Sequence, residues 1–95
     1  MTFEDAILVN AHKASTRNKE AILGSTMCVC FDCKEAFPPS WVNDWIAEEN
    51  QQSTAWCPHC RNDTVLGDAS GFPVSDPEFV IAMDRRWMSE GDSNA

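Results

Sequence analysis

The chain has 95 residues, of which 43% are hydrophobic and 23% charged, and its formal net charge is -8. This composition indicates one small globular domain and excludes a disordered tail or a membrane span, because no apolar run approaches the roughly 20 residues that a span requires. The acidic balance opposes nonspecific binding to nucleic acid.

The first ten residues lack the basic and apolar stretches of a signal peptide, which predicts a cytoplasmic protein. In that compartment, five cysteines indicate metal binding or redox chemistry rather than a disulfide framework. A chain of this length buries only a small core, so we expect a metal ion to stabilise it.

The N-terminal segment, residues 1–24, is predicted to be helical. Thr2 and Asp5 form a capping-box pattern, which predicts a helix that ends near His12 or Lys13. The stretch 19–24 predicts a second, shorter helix that its final glycine stops.

The basic cluster of the sequence follows the first helix and consists of Lys13, Arg17 and Lys19. It leaves open an alternative function, a zinc ribbon that binds nucleic acid, although the net charge makes nucleic acid an unfavoured partner.

Residues 25–31 have the alternating, β-branched character of a strand. In a strand, Cys28 and Cys30 point to the same face, so Cys28 could lie close to a metal bound by Cys30. We expect instead that Cys28 is a small buried apolar residue.

Two cysteine pairs, Cys30-Phe-Asp-Cys33 and Cys57-Pro-His-Cys60, are separated by the 23 residues 34–56. A Cys-x-x-Cys turn directs both sulfurs at one point, and two such turns offer the tetrahedron of thiolates that Zn²⁺ prefers. The spacing predicts a structural metal site within residues 25–67, with zinc as the expected ion and iron as the alternative. Four protein ligands leave no position for water, so we expect no metal-assisted hydrolysis.

Between the two pairs, Pro38 and Pro39 are expected to begin a central helix. Trp41, Val42 and the pair 45–46 would form its apolar face, laid on the metal core. The alternative is that Trp41 and Trp45 present a stacking surface to a base or a partner.

Beyond this segment, a short strand is predicted at 54–56, a turn that leads into a strand at 62–67, and an irregular loop at 68–74. A capping box that begins at Ser75, with Pro77 in the first turn, predicts a C-terminal helix over residues 75–90. Its buried stripe would contain Phe79, Val80, Met83 and Trp87.

The stretch Trp56-Cys-Pro-His-Cys60 is similar to the active-site dithiol of thioredoxin-fold oxidoreductases. In those enzymes the first cysteine lies at a helix N-terminus, whose dipole lowers the pKa of the thiol. Here residues 61–68 are a poor helix sequence and a second cysteine pair lies upstream. A thiol-disulfide oxidoreductase that uses Cys57 and Cys60 is therefore an alternative function.

The stretch from Cys57-Pro-His-Cys60 through Asp63-Thr-Val-Leu-Gly67 to Ser70-Gly71-Phe-Pro73 resembles the signature of a family of small bacterial cytoplasmic proteins. That family's pattern is Cys-Pro-x-Cys-Gly-x-Asp-Ser-Val-Ile-Gly, followed by Ser-Gly-aromatic-Pro. The resemblance covers roughly residues 11–88 and departs from the pattern at three positions, Val29 and Arg61, where the family has glycine, and Thr64, where it has serine. It implies a zinc-ribbon-like fold, a metal and a cytoplasmic location, and leaves the activity open.

If the family pattern marks a ligand or partner surface, that surface should contain five polar or glycine positions, namely His12, Asn18, Asp63, Ser70 and Gly71. The alternative is that Asp63 and Ser70 hold the loop backbone.

The sequence thus predicts one α+β domain over residues 1–95, of zinc-ribbon or treble-clef type, with N-terminal, central and C-terminal helices. Its metal ligands would be Cys30, Cys33, Cys57 and Cys60. We expect a non-enzymatic module that binds a protein partner through an acidic surface.

Overall fold

A computed structural model describes residues 3–47 and 52–89 of the chain. Three helices occur in this part, α1 (Asp5–Lys13), α2 (Lys19–Leu23) and α3 (Pro77–Met83), and α3 continues as a π-helix over Asp84–Ser89. The strands are β1 (Cys28–Cys30), β2 (Ala36–Phe37), β3 (Trp45–Ala47), β4 (Ser53–Ala55) and β5 (Val65–Gly67). Single 3-10 turns lie at Pro39–Trp41 and Asp68–Ser70. The described part of the protein therefore has a small α+β fold, as predicted.

The two N-terminal helices end where the sequence predicts. α1 ends at Lys13, and α2 is followed by Gly24. The start of α1 differs, because its N-cap is Glu4, whose side chain makes no capping hydrogen bond. Thr2, the predicted cap, lies outside the described residues.

β1 is the central strand of a three-stranded antiparallel sheet with the order β2-β1-β5. Cys28 of β1 lies opposite Phe37 of β2 and Gly67 of β5. Because side chains alternate along a strand, Cys28 and Cys30 face one side of this sheet, whereas Val29 faces the other. The sheet therefore separates two apolar clusters.

The first cluster lies where α1 and α3 pack against the sheet. Its buried members come from the two helices, from β1 and β5, and from the loop before α3: Leu8, Ala11, Val29, Phe31, Leu66, Val74, Phe79, Val80 and Met83. The predicted stripe of the C-terminal helix is thus buried at Phe79, Val80 and Met83. Trp87 is half-buried, and its indole nitrogen donates to the carbonyl of Leu8 at 3.1 Å.

The second cluster lies on the opposite side of the sheet and contains cysteines. Its buried members are Ile22, Cys28, Cys30, Phe37, Val42, Ala55, Cys57 and Val65. α2 and the small sheet formed by β3 and β4 cover it. This side of the molecule holds the candidate metal centre.

The predicted central helix is wrong. The prolines begin only the 3-10 turn Pro39–Trp41, after which the chain extends, and Trp45–Ala47 form a strand paired with β4. Aromatic and β-branched residues at 41, 42, 45 and 46 suit a strand as well as a helix, and pairing with β4 supplies the backbone hydrogen bonds that decide between them. Trp41 is 51% exposed and lies outside the core, whereas Trp45 is half-buried against the second cluster.

α3 begins one residue later than its predicted capping box. Its N-cap is Asp76, whose carboxylate accepts a hydrogen bond from the backbone nitrogen of Glu78 at 2.9 Å, and Pro77 occupies the first helical position. Ser75 precedes the cap. Residue 90, the predicted end of the helix, lies outside the described residues.

Candidate metal centre

Four cysteine sulfurs lie together on the second side of the sheet. The Sγ atoms of Cys30, Cys33, Cys57 and Cys60 are all within 4.8 Å of one another. The two measured contacts across the pairs are 3.6 Å, between Cys30 and Cys60, and 3.7 Å, between Cys33 and Cys57. All five cysteines of the chain are free of disulfides.

These distances fit a tetrahedral thiolate site. With metal–sulfur bonds of about 2.3 Å, the sulfurs of a tetrahedron lie roughly 3.8 Å apart. The two sulfur–sulfur contacts across the pairs are close to that value. No separation in the group is greater than 4.8 Å, which is about 1 Å above it. The predicted ligands are therefore together, and the cluster could hold a metal ion.

The two Cys-x-x-Cys turns have the same backbone geometry. The nitrogen of Lys34 donates to the carbonyl of Cys30 at 2.8 Å, and the nitrogen of Arg61 donates to that of Cys57 at 3.1 Å. Lys34 and Arg61 both adopt the left-handed conformation, with φ of 66° and 67°. The second turn therefore closes with Arg61, and not with a glycine, in the left-handed position.

Each turn is also tied to the second residue after it. The nitrogen of Cys30 donates to the carbonyl of Glu35 at 3.0 Å, and the nitrogen of Cys57 donates to that of Asn62 at 2.8 Å. These bonds hold the first cysteine of each pair in place, so the sulfurs are positioned by the backbone.

Burial makes four uncompensated thiolates costly in this cluster. It raises the pKa of Cys33 to about 11, and it also raises the pKa of Cys60. Burial acts in the same direction on Cys57, but backbone N–H donors from Cys60 and His59, at 3.4 and 3.3 Å, outweigh it and lower the pKa of Cys57. A bound cation would neutralise the negative charge of the thiolates. Without the cation, the thiols avoid that charge by staying protonated.

Polar side chains surround the sulfurs. The hydroxyl of Thr64, a buried residue, lies 3.0 Å from the sulfur of Cys30. Asp32, inside the first turn, lies with a carboxylate oxygen 3.8 Å from the sulfur of Cys60 and accepts a hydrogen bond from the side chain of Asn62. Sequence reasoning missed Asp32 and Asn62. The available signal was their position, since Asp32 lies within the first cysteine pair and Asn62 lies two residues after the second.

Cys28 lies outside the four-sulfur group. It is fully buried in the second cluster, and burial raises the pKa of its thiol to about 11, with the charge of Asp68 adding to the effect. Cys28 is thus a small buried side chain, as expected.

Asn18, predicted as part of a surface, is only 5% exposed. Its amide nitrogen donates to the carbonyl of Val65 at 2.8 Å, and its amide oxygen accepts from the nitrogen of Ala55 at 3.1 Å. Asn18 therefore joins the two sheets, since Val65 belongs to β5 and Ala55 to β4.

The other four predicted surface positions divide into two kinds. Ser70 donates to the carbonyl of Gly67 at 2.6 Å, and Gly71 has φ of 89°, so both shape the loop after β5. Asp63 and His12 are exposed, and the ring of His12 lies 4.1 Å from that of Trp87.

The three residues of the basic cluster are exposed. Arg17 and Lys19 line one surface cavity of about 460 Å³ together with the carboxylate of Glu20. The ammonium of Lys19 lies 5.3 Å from the ring of Trp45.

The second cysteine pair does not lie at a helix N-terminus. After Cys60 the chain passes through an irregular segment into β5, and Cys57 is fully buried. The arrangement that activates the dithiol of thioredoxin-fold enzymes is therefore not formed around Cys57.

Comparisons with protein-family models, with curated proteins and with solved structures found no match. Among the helices in residues 3–47 and 52–89, none combines the length and the apolar character needed to cross a bilayer. What the fold and the site define is a small α+β protein with four clustered, unbridged cysteines.

Proposed function

We propose that this protein is a non-enzymatic interaction module of the cytoplasm, in which Cys30, Cys33, Cys57 and Cys60 hold a structural Zn²⁺ ion. In this proposal the domain is ribbon-like, belongs with the bacterial family that its signature resembles, and binds a protein partner through its acidic surface. The mutual distances of the four sulfurs carry the proposal, since all lie within 4.8 Å.

The position of the cluster supports a structural role for the metal. The four cysteines come from two turns far apart in sequence, and the cluster also contains side chains of α2, β2 and β4. A structural zinc ion supplies on the order of 10 kcal/mol of apparent binding energy that exists only in the folded state, which is comparable to the whole stability of a small domain. The ion would therefore hold together segments that share a small apolar core.

The composition of the site supports a non-enzymatic role. Four sulfur ligands supplied by the chain fill a tetrahedral site and leave no position for water or substrate. Both turns lie next to strands, which supports a ribbon-like assignment.

Elemental analysis and near-ultraviolet circular dichroism test this proposal together. We expect one zinc per chain, and we expect a chelator to abolish the tryptophan dichroism because the second cluster opens when the ion leaves. Iron in place of zinc would contradict the metal assignment. Dichroism that survives chelation would contradict the structural role.

A second candidate, the thiol-disulfide oxidoreductase, is favoured by one observation. Backbone donors from His59 and Cys60 lower the pKa of Cys57, as they would for a nucleophile. Alkylation followed by peptide mass spectrometry separates the candidates. The structural site predicts that Cys57 and Cys60 stay unmodified until a chelator is added, whereas rapid modification of Cys57 in the metal-loaded protein would favour the oxidoreductase.

A further inference from the structure

An apolar groove lies between α3 and the residues on either side of the first cysteine turn. Its volume is about 470 Å³, and its apolar lining includes Met27, Ala36, Val74, Val80 and Ile81. We refer to it as the Met27–Ile81 groove.

Two large apolar side chains of this groove are exposed to solvent. Met27 is 43% exposed and Ile81 is 40% exposed, whereas most large apolar side chains of the described residues are buried. They come from distant parts of the chain, the segment before β1 and the outer face of α3, yet they line the same groove. A shared exposed apolar surface of this kind is typical of a binding site.

We propose that the Met27–Ile81 groove binds an apolar segment of a protein partner that carries lysine or arginine beside its apolar residues. This inference rests on the proposed interaction function and names the partner chemistry. Charge complementarity supports it.

Carboxylates adjoin the lining residues, either along the chain or through a hydrogen bond to a neighbouring residue. Asp68 accepts hydrogen bonds from the nitrogen and the hydroxyl of Thr26, the residue before Met27, at 3.0 and 2.6 Å. Glu35 stands between the lining residues Lys34 and Ala36 in the sequence. The cation in the lining, Lys34, is already compensated by Asp84 at 3.0 Å.

A further acidic residue lies at the start of α3. Asp76, the N-cap of this helix, lies between two lining residues, Ser75 and Pro77. Glu78 instead lines a separate cavity together with Arg85 and Arg86. With a net charge of -8, the molecule adds a long-range attraction for a basic segment.

The same charge disfavours two other occupants. A second copy of the chain also has a net charge of -8, so the acidic residues near the groove would repel it. Residues 90–95 of the chain, Glu-Gly-Asp-Ser-Asn-Ala, have two carboxylates and no large apolar side chain. A basic and apolar partner fits the groove better than either.

Three synthetic peptides of about 12 residues test the inference. They share one leucine-rich apolar face and differ only in the remaining positions, which are lysine, glutamine or glutamate. Each is titrated into the metal-loaded, nitrogen-15-labelled protein while the amide resonances are followed.

We expect the lysine peptide to shift the amides of Met27, Ala36, Val74 and Ile81 and to bind about tenfold more tightly than the glutamine peptide, an advantage that high salt removes. We expect no binding of the glutamate peptide. Equal binding of the lysine and glutamate peptides, shifts confined to other surfaces, or no binding at all would overturn the inference.

Matched variants locate the site independently. Met27→Ser combined with Ile81→Ser removes two exposed side chains of the groove, and Leu23→Ser removes a 60% exposed one outside it. The groove variant should lower the affinity for the lysine peptide about tenfold, whereas the Leu23 variant should leave it unchanged. Equal effects of the two variants would contradict docking in the groove.

The failure of this inference can be told from the failure of the proposed function. Suppose that the chelator abolishes the tryptophan dichroism, and that the wild-type protein and the groove variant retain the same protein partner equally. The groove inference is then wrong, whereas the proposed interaction function is supported. If the metal proves dispensable for the fold, or no protein is retained, the proposed function falls.

Discussion

At the scale of single residues, Thr64 has the clearest predicted effect on the metal site. Its hydroxyl lies 3.0 Å from the sulfur of Cys30 and, when that sulfur is a metal-bound thiolate, it donates a hydrogen bond to it. Thr64→Val should keep the buried volume but lower the metal affinity about tenfold or more. Competition with a chromophoric chelator measures the change.

Two other threonine variants are the controls for this prediction. Thr64→Ser keeps the hydroxyl and should bind metal nearly as wild type does. Thr16→Val removes an exposed hydroxyl that bonds the carbonyl of Lys13, far from the sulfurs in the sequence, and should have no effect. Unchanged affinity in Thr64→Val would show that this hydrogen bond contributes nothing to the site.

Arg61 occupies a left-handed backbone position, with φ of 67°, where glycine has no steric penalty. Arg61→Gly and Arg61→Ala both lose the ion pair with Asp44, but only the glycine removes the strain. We expect the glycine variant to have the higher free energy of unfolding, by about 1 kcal/mol, in denaturant titrations at constant free metal.

Arg85 is the control position, where we expect the glycine variant to be less stable than the alanine variant. It is exposed within the π-helix, where glycine is less favourable than alanine. Arg85→Gly should therefore be less stable than Arg85→Ala, by up to about 1 kcal/mol. If Arg61→Gly were likewise less stable than Arg61→Ala, the left-handed turn would not be a source of strain.

At the scale of elements, β5 and the segment after α2 approach each other so closely that Gly67 has no room for a side chain. A Cβ atom at Gly67 would overlap the hydroxyl of Ser25 and lie 2.9 Å from Ser25 Cβ. Ser25 cannot easily move, because its hydroxyl donates to the carbonyl of Ala21 and accepts from the nitrogen of Ala69. We expect Gly67→Ala to lower the free energy of unfolding by about 1–3 kcal/mol.

Gly24→Ala is the matched control, because a Cβ there would meet its nearest atom, the carbonyl oxygen of Glu20, at 3.4 Å. Thermal unfolding of the two metal-loaded variants should show a large decrease for Gly67→Ala and a small change for Gly24→Ala. Equal melting temperatures would contradict the close approach.

The alternation of β1 explains how one short strand serves both halves of the fold. Val29 belongs to the cluster under α1 and α3, while Cys28 and Cys30 belong to the cluster that contains the candidate metal ligands. A register shift of one residue would exchange these faces and move Cys30 away from the other three sulfurs. The sheet register and the metal site therefore depend on each other.

At the scale of the whole molecule, stability should depend steeply on pH through the metal. Metal binding displaces the thiol protons, and burial already favours the protonated forms of Cys33 and Cys60. As the pH falls below the thiol pKa values, metal affinity should decrease by about a thousandfold or more per pH unit, since up to four protons compete. Because the ion stabilises only the folded state, the free energy of unfolding should decrease in the same direction.

Tryptophan dichroism at buffered zinc concentrations between neutral and acidic pH measures this dependence. Cys28→Ala should show the same slope as wild type, because Cys28 lies outside the four-sulfur group. A slope corresponding to a single proton would mean that fewer than four thiols bind the ion.

Much of the site and part of the fold were predictable because they depend on local chemistry. The geometry of a Cys-x-x-Cys turn is contained in four residues, so two such turns were enough to name all four clustered sulfurs. The ends of α1 and α2 follow from residues within one turn of each end. The strand around Cys28 follows from its alternation.

The strand Trp45–Ala47, which replaces the predicted central helix, was not predictable in this way, because the apolar residues between 41 and 46 satisfy both a helical face and a strand. The role of Asn18 was missed for a related reason, since its partners Val65 and Ala55 lie far away in the sequence. The exposure of Trp41 likewise depends on which surfaces the rest of the fold covers. The N-cap at Asp76 depends on where the fold lets α3 begin.

By itself, the sequence determined the length and charge of the chain, the four cysteines that cluster and the C-terminal ends of the first two helices, since each depends on composition or on neighbours within a few positions. Only the tertiary structure decided that Trp45–Ala47 form a strand, that Asn18 joins two sheets, and that Met27 and Ile81 share one groove. Each of these outcomes requires backbone or side-chain partners from distant parts of the chain, and short-range patterns contain no information on which distant groups will meet.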